Sequence, residues 1–338
     1  MNAWIPYVLG APLLAFLAMA CTGTGGSPRS PEPAAGAPAV CEASTETISV
    51  KNARGALEGT LVLPSGCGPH PVALIVAGSG PTDREGNQPT LAAQPYRLLS
   101  QALVDRGVGS LRYDKAGIGA SKSGAPSEAD LRFEMGADDA ALFVDALRAD
   151  HRVSRVTLVG HSEGSLVGMV AARRAPVDAF VSLAGAGRPA GEVLREQLTK
   201  NLGDPTLRAR ALSILSSLER GERVDDVPQE LAAIFRPSVQ DYIISWLKYD
   251  PAAEVRALSA PEVLIVQGTT DIQVSVADAE RLAAARADAR LLVLDGMNHV
   301  LKAVDASPAA QRDSYVNPSL PIFPELASEI AGFAAGGA

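Results

Sequence analysis

Imidazole is scarce in this chain, which holds four histidines in 338 residues. Chemistry that needs a base near neutral pH therefore has few places to sit. Basic residues form no stripe and the net charge is −8, so the electrostatic footprint of a nucleic-acid partner is missing. No internal repeat is present, which excludes solenoids and propellers. Low complexity is confined to a Pro/Ala-rich stretch ending at Ala39. Apolar side chains, by contrast, make up 47% of the residues. That is enough for one large domain of about 250–300 residues with a sizeable core.

Residues 1–20 lack any charged side chain, and the apolar run over 8–20 ends at Cys21. This reads as an export signal over 1–20 followed by a flexible tether over 21–40. An apolar run, small residues and then a cysteine resemble a bacterial lipoprotein signal. On that resemblance Cys21 is the lipid attachment site, and the protein is exported and membrane-anchored, facing the periplasm or the cell surface. Ala18 stands where such signals usually carry leucine, and no Lys or Arg precedes the run. An uncleaved anchor and a simple secretory signal are the alternatives, although Pro12 and the short length tell against a bilayer span. The other cysteines, Cys41 and Cys67, flank two strand-like runs, 47–50 and 57–63, with a turn signal at 52–55. Their midpoint falls in that turn, so an antiparallel hairpin brings both to its open end. A disulfide there suits an oxidising compartment and stabilises by roughly 3 kcal/mol; two unrelated cysteines are the plain alternative.

Beyond the hairpin, short apolar runs alternate with helical segments. Strands are expected at 72–77, 108–113, 155–159, 177–184, 262–267 and 289–294, and helices at 91–105, 130–149, 163–174, 276–286 and 320–335. That alternation implies an α/β fold with a mostly parallel sheet covered on both faces. Residues 188–257 interrupt it: they carry no strand signal and read as several helices punctuated by Pro205, Gly221, Pro228 and Pro237. The expected organisation is a core of 41–187 and 258–338 with a helical cap over 188–257. A packing layer at the sheet edge is the plainer reading of that insertion.

The run Val156-Thr-Leu-Val-Gly160-His161-Ser162-Glu163-Gly164 reads as a strand, a sharp turn and a helix with a serine at the apex. A serine hydroxyl needs a base, and the base needs an orienting group. Of the histidines, His70 reads as a turn residue beside two prolines, and His151 precedes the strand at the wrong end of the sheet. His161 adjoins the serine and should point away from it. His299, in a loop after the last strand, is left as the base. Asp271 follows a strand and a Gly turn and is the orienting carboxylate, with Asp295 as runner-up; Asp278 and Asp288 are expected to face solvent. The tetrahedral oxyanion would be held by the backbone N–H of Glu163 and by that of Ser79 in the loop after the 72–77 strand, with Gly80 as second choice. The Glu163 side chain would either fix the turn or disfavour anionic substrates.

Five segments in order, 77–87, 112–121, 160–164, 267–274 and 296–299, together resemble bacterial α/β-hydrolases of the EstD-like esterase and serine-aminopeptidase-like group. The resemblance covers residues 45–335 and implies an eight-stranded sheet with a helical cap, no metal or cofactor, and hydrolysis through an acyl-enzyme. The turn at Asp114-Lys115 is similar to a family element that shapes the pocket floor and braces the oxyanion loop; Ala116 departs from the arginine usual there. The expectation is a serine hydrolase of small carboxylic esters. A peptidase or amidase, an acyltransferase, and a non-catalytic binding module on the same fold are the alternatives.

Overall fold

The computed structural model describes residues 41–260 and 262–337. The expected export signal over 1–20, the expected tether over 21–40 and Cys21 lie outside the described residues. Eight strands form one sheet: β1 Ser44–Lys51, β2 Ala56–Leu63, β3 His70–Val76, β4 Gly109–Tyr113, β5 Val153–His161, β6 Ala179–Leu183, β7 Glu262–Gly268 and β8 Arg290–Leu294. Their order is β1-β2-β4-β3-β5-β6-β7-β8. β1 and β2 form the hairpin, with Ser44 opposite Leu63, and β2 pairs antiparallel with β4. All further pairings are parallel. The hairpin register brings Cys41 and Cys67 to its open end, where they are disulfide-bonded with Cα atoms 5.0 Å apart.

The helices are α1 Pro95–Val104, α2 Phe133–Ala149, α3 Glu163–Ala172, α4 Ala190–Asn201, α5 Pro205–Glu219, α6 Ala232–Phe235, α7 Gln240–Trp246, α8 Pro251–Arg256, α9 Val276–Ala285, α10 Pro308–Ser314 and α11 Pro324–Ala334. β3 shows why the sheet needs cover on both sides. Val72, Leu74 and Val76 belong to one apolar cluster with α2, α3 and α9. Ala73, Ile75 and Ala77 belong to the other, with α1 and α11. Alternating side chains of one strand thus feed two cores. Between β6 and β7 the described residues form helices joined by loops, with no strand among them. Leu198, Ile214, Leu218, Phe235 and Ile243 form a separate apolar cluster there, whereas Val255 of α8 packs into the α2–α3 layer.

After β3 the chain crosses to β4 on one side and then returns to β5 on the other. The carboxyl ends of β3 and β5 therefore flank a topological switch point, where open α/β sheets leave a crevice for ligands.

Candidate active site

β5 ends at His161, and Ser162 is the N-cap of α3 with φ 57° and ψ −125°. A non-glycine residue with this backbone is strained. The flanking glycines make the turn possible: a Cβ on Gly160 would overlap the Gly164 carbonyl, and one on Gly164 would overlap the Val76 carbonyl. The turn is pinned to the sheet because the Ser162 N–H donates to the Leu183 carbonyl at 2.9 Å.

The Ser162 hydroxyl meets the imidazole of His299, with 3.1 Å between Oγ and Nε2. His299 is 4% exposed, and its Nδ1 lies 2.8 Å from Asp271 Oδ2. The carboxylate also accepts from Gln267 Nε2 at 3.0 Å and from the N–H groups of Gln273 and Val274 at 2.7 and 3.0 Å. Burial works against its charge, but the His299 imidazole and these donors outweigh it, so the Asp271 carboxyl stays below the ordinary aspartate value. The acidic and imidazole loops are tied to each other directly. The Thr269 N–H donates to the Leu294 carbonyl and the Thr270 N–H to the Met297 carbonyl, at 3.1 and 3.2 Å. α10 straps both: Gln311 Nε2 donates to the Thr270 carbonyl at 3.0 Å, and Asn298 Nδ2 donates to Ser314 Oγ at 2.8 Å.

The loop after β3 closes over the serine. A Cβ on Gly78 would stand 3.1 Å from the Ser162 Cβ. Among the described residues, neither the Ser79 N–H nor the Glu163 N–H donates to a protein acceptor; the same is true of the Gly80 N–H. Lys115 sets the loop's orientation. Its Nζ donates to the Gly78 carbonyl and, at 3.3 Å, to that of Gly80. A trans peptide is planar, so fixing the Gly78 carbonyl aims the Ser79 N–H the opposite way. Burial lowers the Lys115 pKa, and the Glu163 carboxylate opposes that shift. The Glu163 side chain is committed to the helical insertion rather than to its own turn: Tyr242 of α7 donates its hydroxyl to Glu163 Oε1 at 2.8 Å.

Of the remaining assignments, those of Asp278 and His70 need correction. Asp278 does not face solvent: it is 2% exposed, caps α9 with Ser275, and accepts from the Gly187 N–H and Arg188 Nε at 3.1 and 3.0 Å. Asp288 is exposed and pairs with Arg286. Asp295 is exposed and accepts from Thr269 Oγ1 at 2.8 Å, away from the imidazole. His70 opens β3 instead of lying in the turn before it. His161 does point away from the serine, but onto the backbone of His299, at 2.8 Å. Sequence patterns carry no signal for Tyr96 or Tyr242, whose partners lie far along the chain.

A switch-point serine on a strained elbow, backed by an imidazole and a buried carboxylate, sits here on an α/β-hydrolase fold. The family model described as serine aminopeptidase, S33, matches residues 92–303, and the chain belongs to that family. It is also 30% identical over 251 residues to Esterase EstD of Thermotoga maritima, covering 72% of this chain. The chain spans 58% of the length of that curated relative. Among solved structures, Est1E from Butyrivibrio proteoclasticus superposes with a TM-score of 0.56 at 17% identity, covering 86% of this chain and 99% of the other. The esterase domain of a Rhodothermus marinus protein gives 0.52 at 20% identity, covering 87% and 98%. These last two likenesses are of fold.

Proposed function

We propose that this protein hydrolyses small carboxylic esters through an acyl-enzyme on Ser162. The observation that carries the reading is the unbroken path Ser162 Oγ, His299 Nε2, His299 Nδ1, Asp271 Oδ2, with links of 3.1 and 2.8 Å, beside backbone amides that have no protein acceptor among the described residues. Ser162 Oγ attacks the ester carbonyl while His299 Nε2 takes its proton. Asp271 holds Nδ1 protonated and stabilises the imidazolium that forms. The N–H groups of Glu163 and Ser79 receive the oxyanion, each such donor contributing about 3–4 kcal/mol. His299 returns the proton to the leaving alcohol, and water repeats the sequence on the acyl-enzyme. The insertion between β6 and β7 acts as the cap, reaching the nucleophile turn through Tyr242. The curated relative's esterase activity supports the choice of bond.

The description of the matching family favours a second reading, cleavage of an aminoacyl amide on the same residues. Paired assays on p-nitrophenyl acetate and an aminoacyl p-nitroanilide separate the two. The proposal extends to location: export, with a lipid on Cys21, is supported by the apolar run over 8–20 and by the Cys41–Cys67 bridge, a feature of oxidising compartments. The test of the chemistry is Ser162→Ala. Turnover of p-nitrophenyl acetate and butyrate should vanish while the circular dichroism spectrum is unchanged; wild-type rates in that variant end the proposal.

A further inference from the structure

Behind the His299 ring lies a second histidine that the chemistry above does not use. His161 is buried, with its ring centroid 4.9 Å from that of His299. Its Nε2 is 2.8 Å from the His299 carbonyl oxygen, and its Nδ1 is 2.9 Å from the Tyr96 hydroxyl. That hydroxyl in turn accepts from the Gly78 N–H at 3.0 Å. The polarity of this chain follows from donor capacity alone. A carbonyl oxygen only accepts, so Nε2 carries the proton. Burial and the adjacent His299 lower the His161 pKa to about 3, so the ring is neutral and Nδ1 is bare. Tyr96 must then donate to Nδ1, and its oxygen is left to accept from Gly78. Burial pushes the phenol up, so it keeps its proton.

The result is one directed chain: Gly78 N–H to Tyr96, Tyr96 O–H to His161, His161 Nε2–H to the His299 carbonyl. It begins one residue before the Ser79 amide and ends on the backbone of the base. We propose that Tyr96 and His161 are positioning residues that register the oxyanion loop against the His299 loop, so that amide donor and imidazole hold a fixed relation to Ser162 Oγ. This rests on the roles given above to Ser162 and His299. Neither positioning residue meets the substrate. Core filling alone would be served by phenylalanine at either place, since the two rings already pack edge to face with centroids 5.5 Å apart; the hydrogen bonds are the addition.

The test uses the full chain with Tyr96→Phe, His161→Phe, the double variant and His161→Gln. The kcat and KM for p-nitrophenyl acetate are measured per active site, counted with a fluorophosphonate probe, so that a fraction of misfolded protein does not enter the rate. Each Phe variant is expected to lose about 10–100-fold in per-site kcat with KM changed less than about twofold, the size of effect that misplacement remote from the reacting atoms produces. The double variant should be no worse than about the poorer single one, because one chain is broken either way. His161→Gln, which can still present an N–H to the His299 carbonyl, should recover most of the loss. Per-site kcat values within about twofold of wild type in both Phe variants, or losses that multiply in the double variant, overturn the proposal. Ser162→Ala is run alongside: turnover that survives it defeats the hydrolase reading itself, a distinct outcome. If the Phe variants do not fold, the ¹⁵N imidazole spectrum of the wild type decides, and a proton found on Nδ1 of His161 overturns the proposal.

Discussion

Replacing Asp271 with asparagine changes one atom, yet the local hydrogen bonds make the consequence large. The carboxylate accepts four: from His299 Nδ1 at 2.8 Å, Gln267 Nε2 at 3.0 Å, and the Gln273 and Val274 amides at 2.7 and 3.0 Å. An amide has only one oxygen. Turned towards the two backbone amides, it presents its NH₂ to His299 and to the Gln267 Nε2 donor, leaving one donor unpaired. Turned towards His299, it sets its NH₂ against two N–H donors, at about 1–3 kcal/mol for each buried group left unpaired. The first orientation wins, and the imidazole answers by moving its proton from Nδ1 to Nε2. That tautomer cannot take the proton of Ser162. The cost is about 10⁴ in kcat, or about 5.5 kcal/mol in the barrier. Expected for Asp271→Asn are a thermal midpoint within a few degrees of wild type and nearly unchanged KM. Initial rates with p-nitrophenyl butyrate at pH 7–8 measure kcat. A loss smaller than about tenfold, with turnover still dependent on Ser162, would refute the tautomer argument.

Three further outcomes are expected. Lys115→Met removes the donor to the Gly78 and Gly80 carbonyls and frees the Ser79 amide to turn, so kcat should drop about 10–100-fold, less than the direct loss of an oxyanion donor; steady-state kinetics with unchanged circular dichroism check this. Cys41→Ala with Cys67→Ala opens a loop of sequence separation 26 and should lower unfolding free energy by about 3–4 kcal/mol in urea titrations, with kcat intact because the hairpin lies at the sheet edge remote from the switch point. Acid should destabilise the fold. Burial raises the pKa of Asp271, Asp114 and Asp278, but their hydrogen-bonded partners (His299 and, for the other two, Arg84 and Arg188) prevail and hold all three below the ordinary value. With folded values depressed, the unfolded chain takes up protons first, so their stabilisation is whole above about pH 4–5 and is lost as pH falls through the folded values. Thermal midpoints should therefore decline from about pH 5 to pH 3, and a flat profile contradicts the assignment.

The central parallel strands were legible because they are continuous apolar runs buried on both faces, and β8 from its apolar run alone, since only Leu294 of it is buried; the meeting of Ser162, Asp271 and His299 was legible because each follows a strand. Helix starts were less so. The segment expected to begin at residue 91 begins at Pro95, since Gln88 and Leu91 are held in an isolated bridge and proline is preorganised for the first turn. Asp278 was misread because periodicity on α9 ignores capping: its carboxylate turns back to Ser275 and out to Arg188, a partner 90 residues away. His161 was read only against its neighbour in sequence. Adjacent residues at the end of a strand do diverge, but that places the imidazole against the loop after β8, a contact across 138 positions that spacing cannot reveal.

The two halves of the site are held by different means, and the difference follows from what lies beneath each. Ser162 keeps a backbone costing about 1–3 kcal/mol because the residues around it permit no other. Its N–H continues the β5–β6 pairing, and every residue of α3 from Gly164 to Ala172 is buried. The loop at Gly78–Gly80 has no such helix. It emerges from the carboxyl end of the central strand β3 towards solvent, with Gly80 exposed, and backbone bonds alone leave its amides free to turn. Side chains do the pinning: Tyr96 of α1 on the Gly78 N–H, Lys115 after β4 on the Gly78 carbonyl, and Gln88 and Thr82 of the same connection on the Ser79 carbonyl at 2.9 and 3.0 Å. Substitutions in the core beneath α3 should therefore cost stability before activity, whereas substitutions among these four pins should cost activity first.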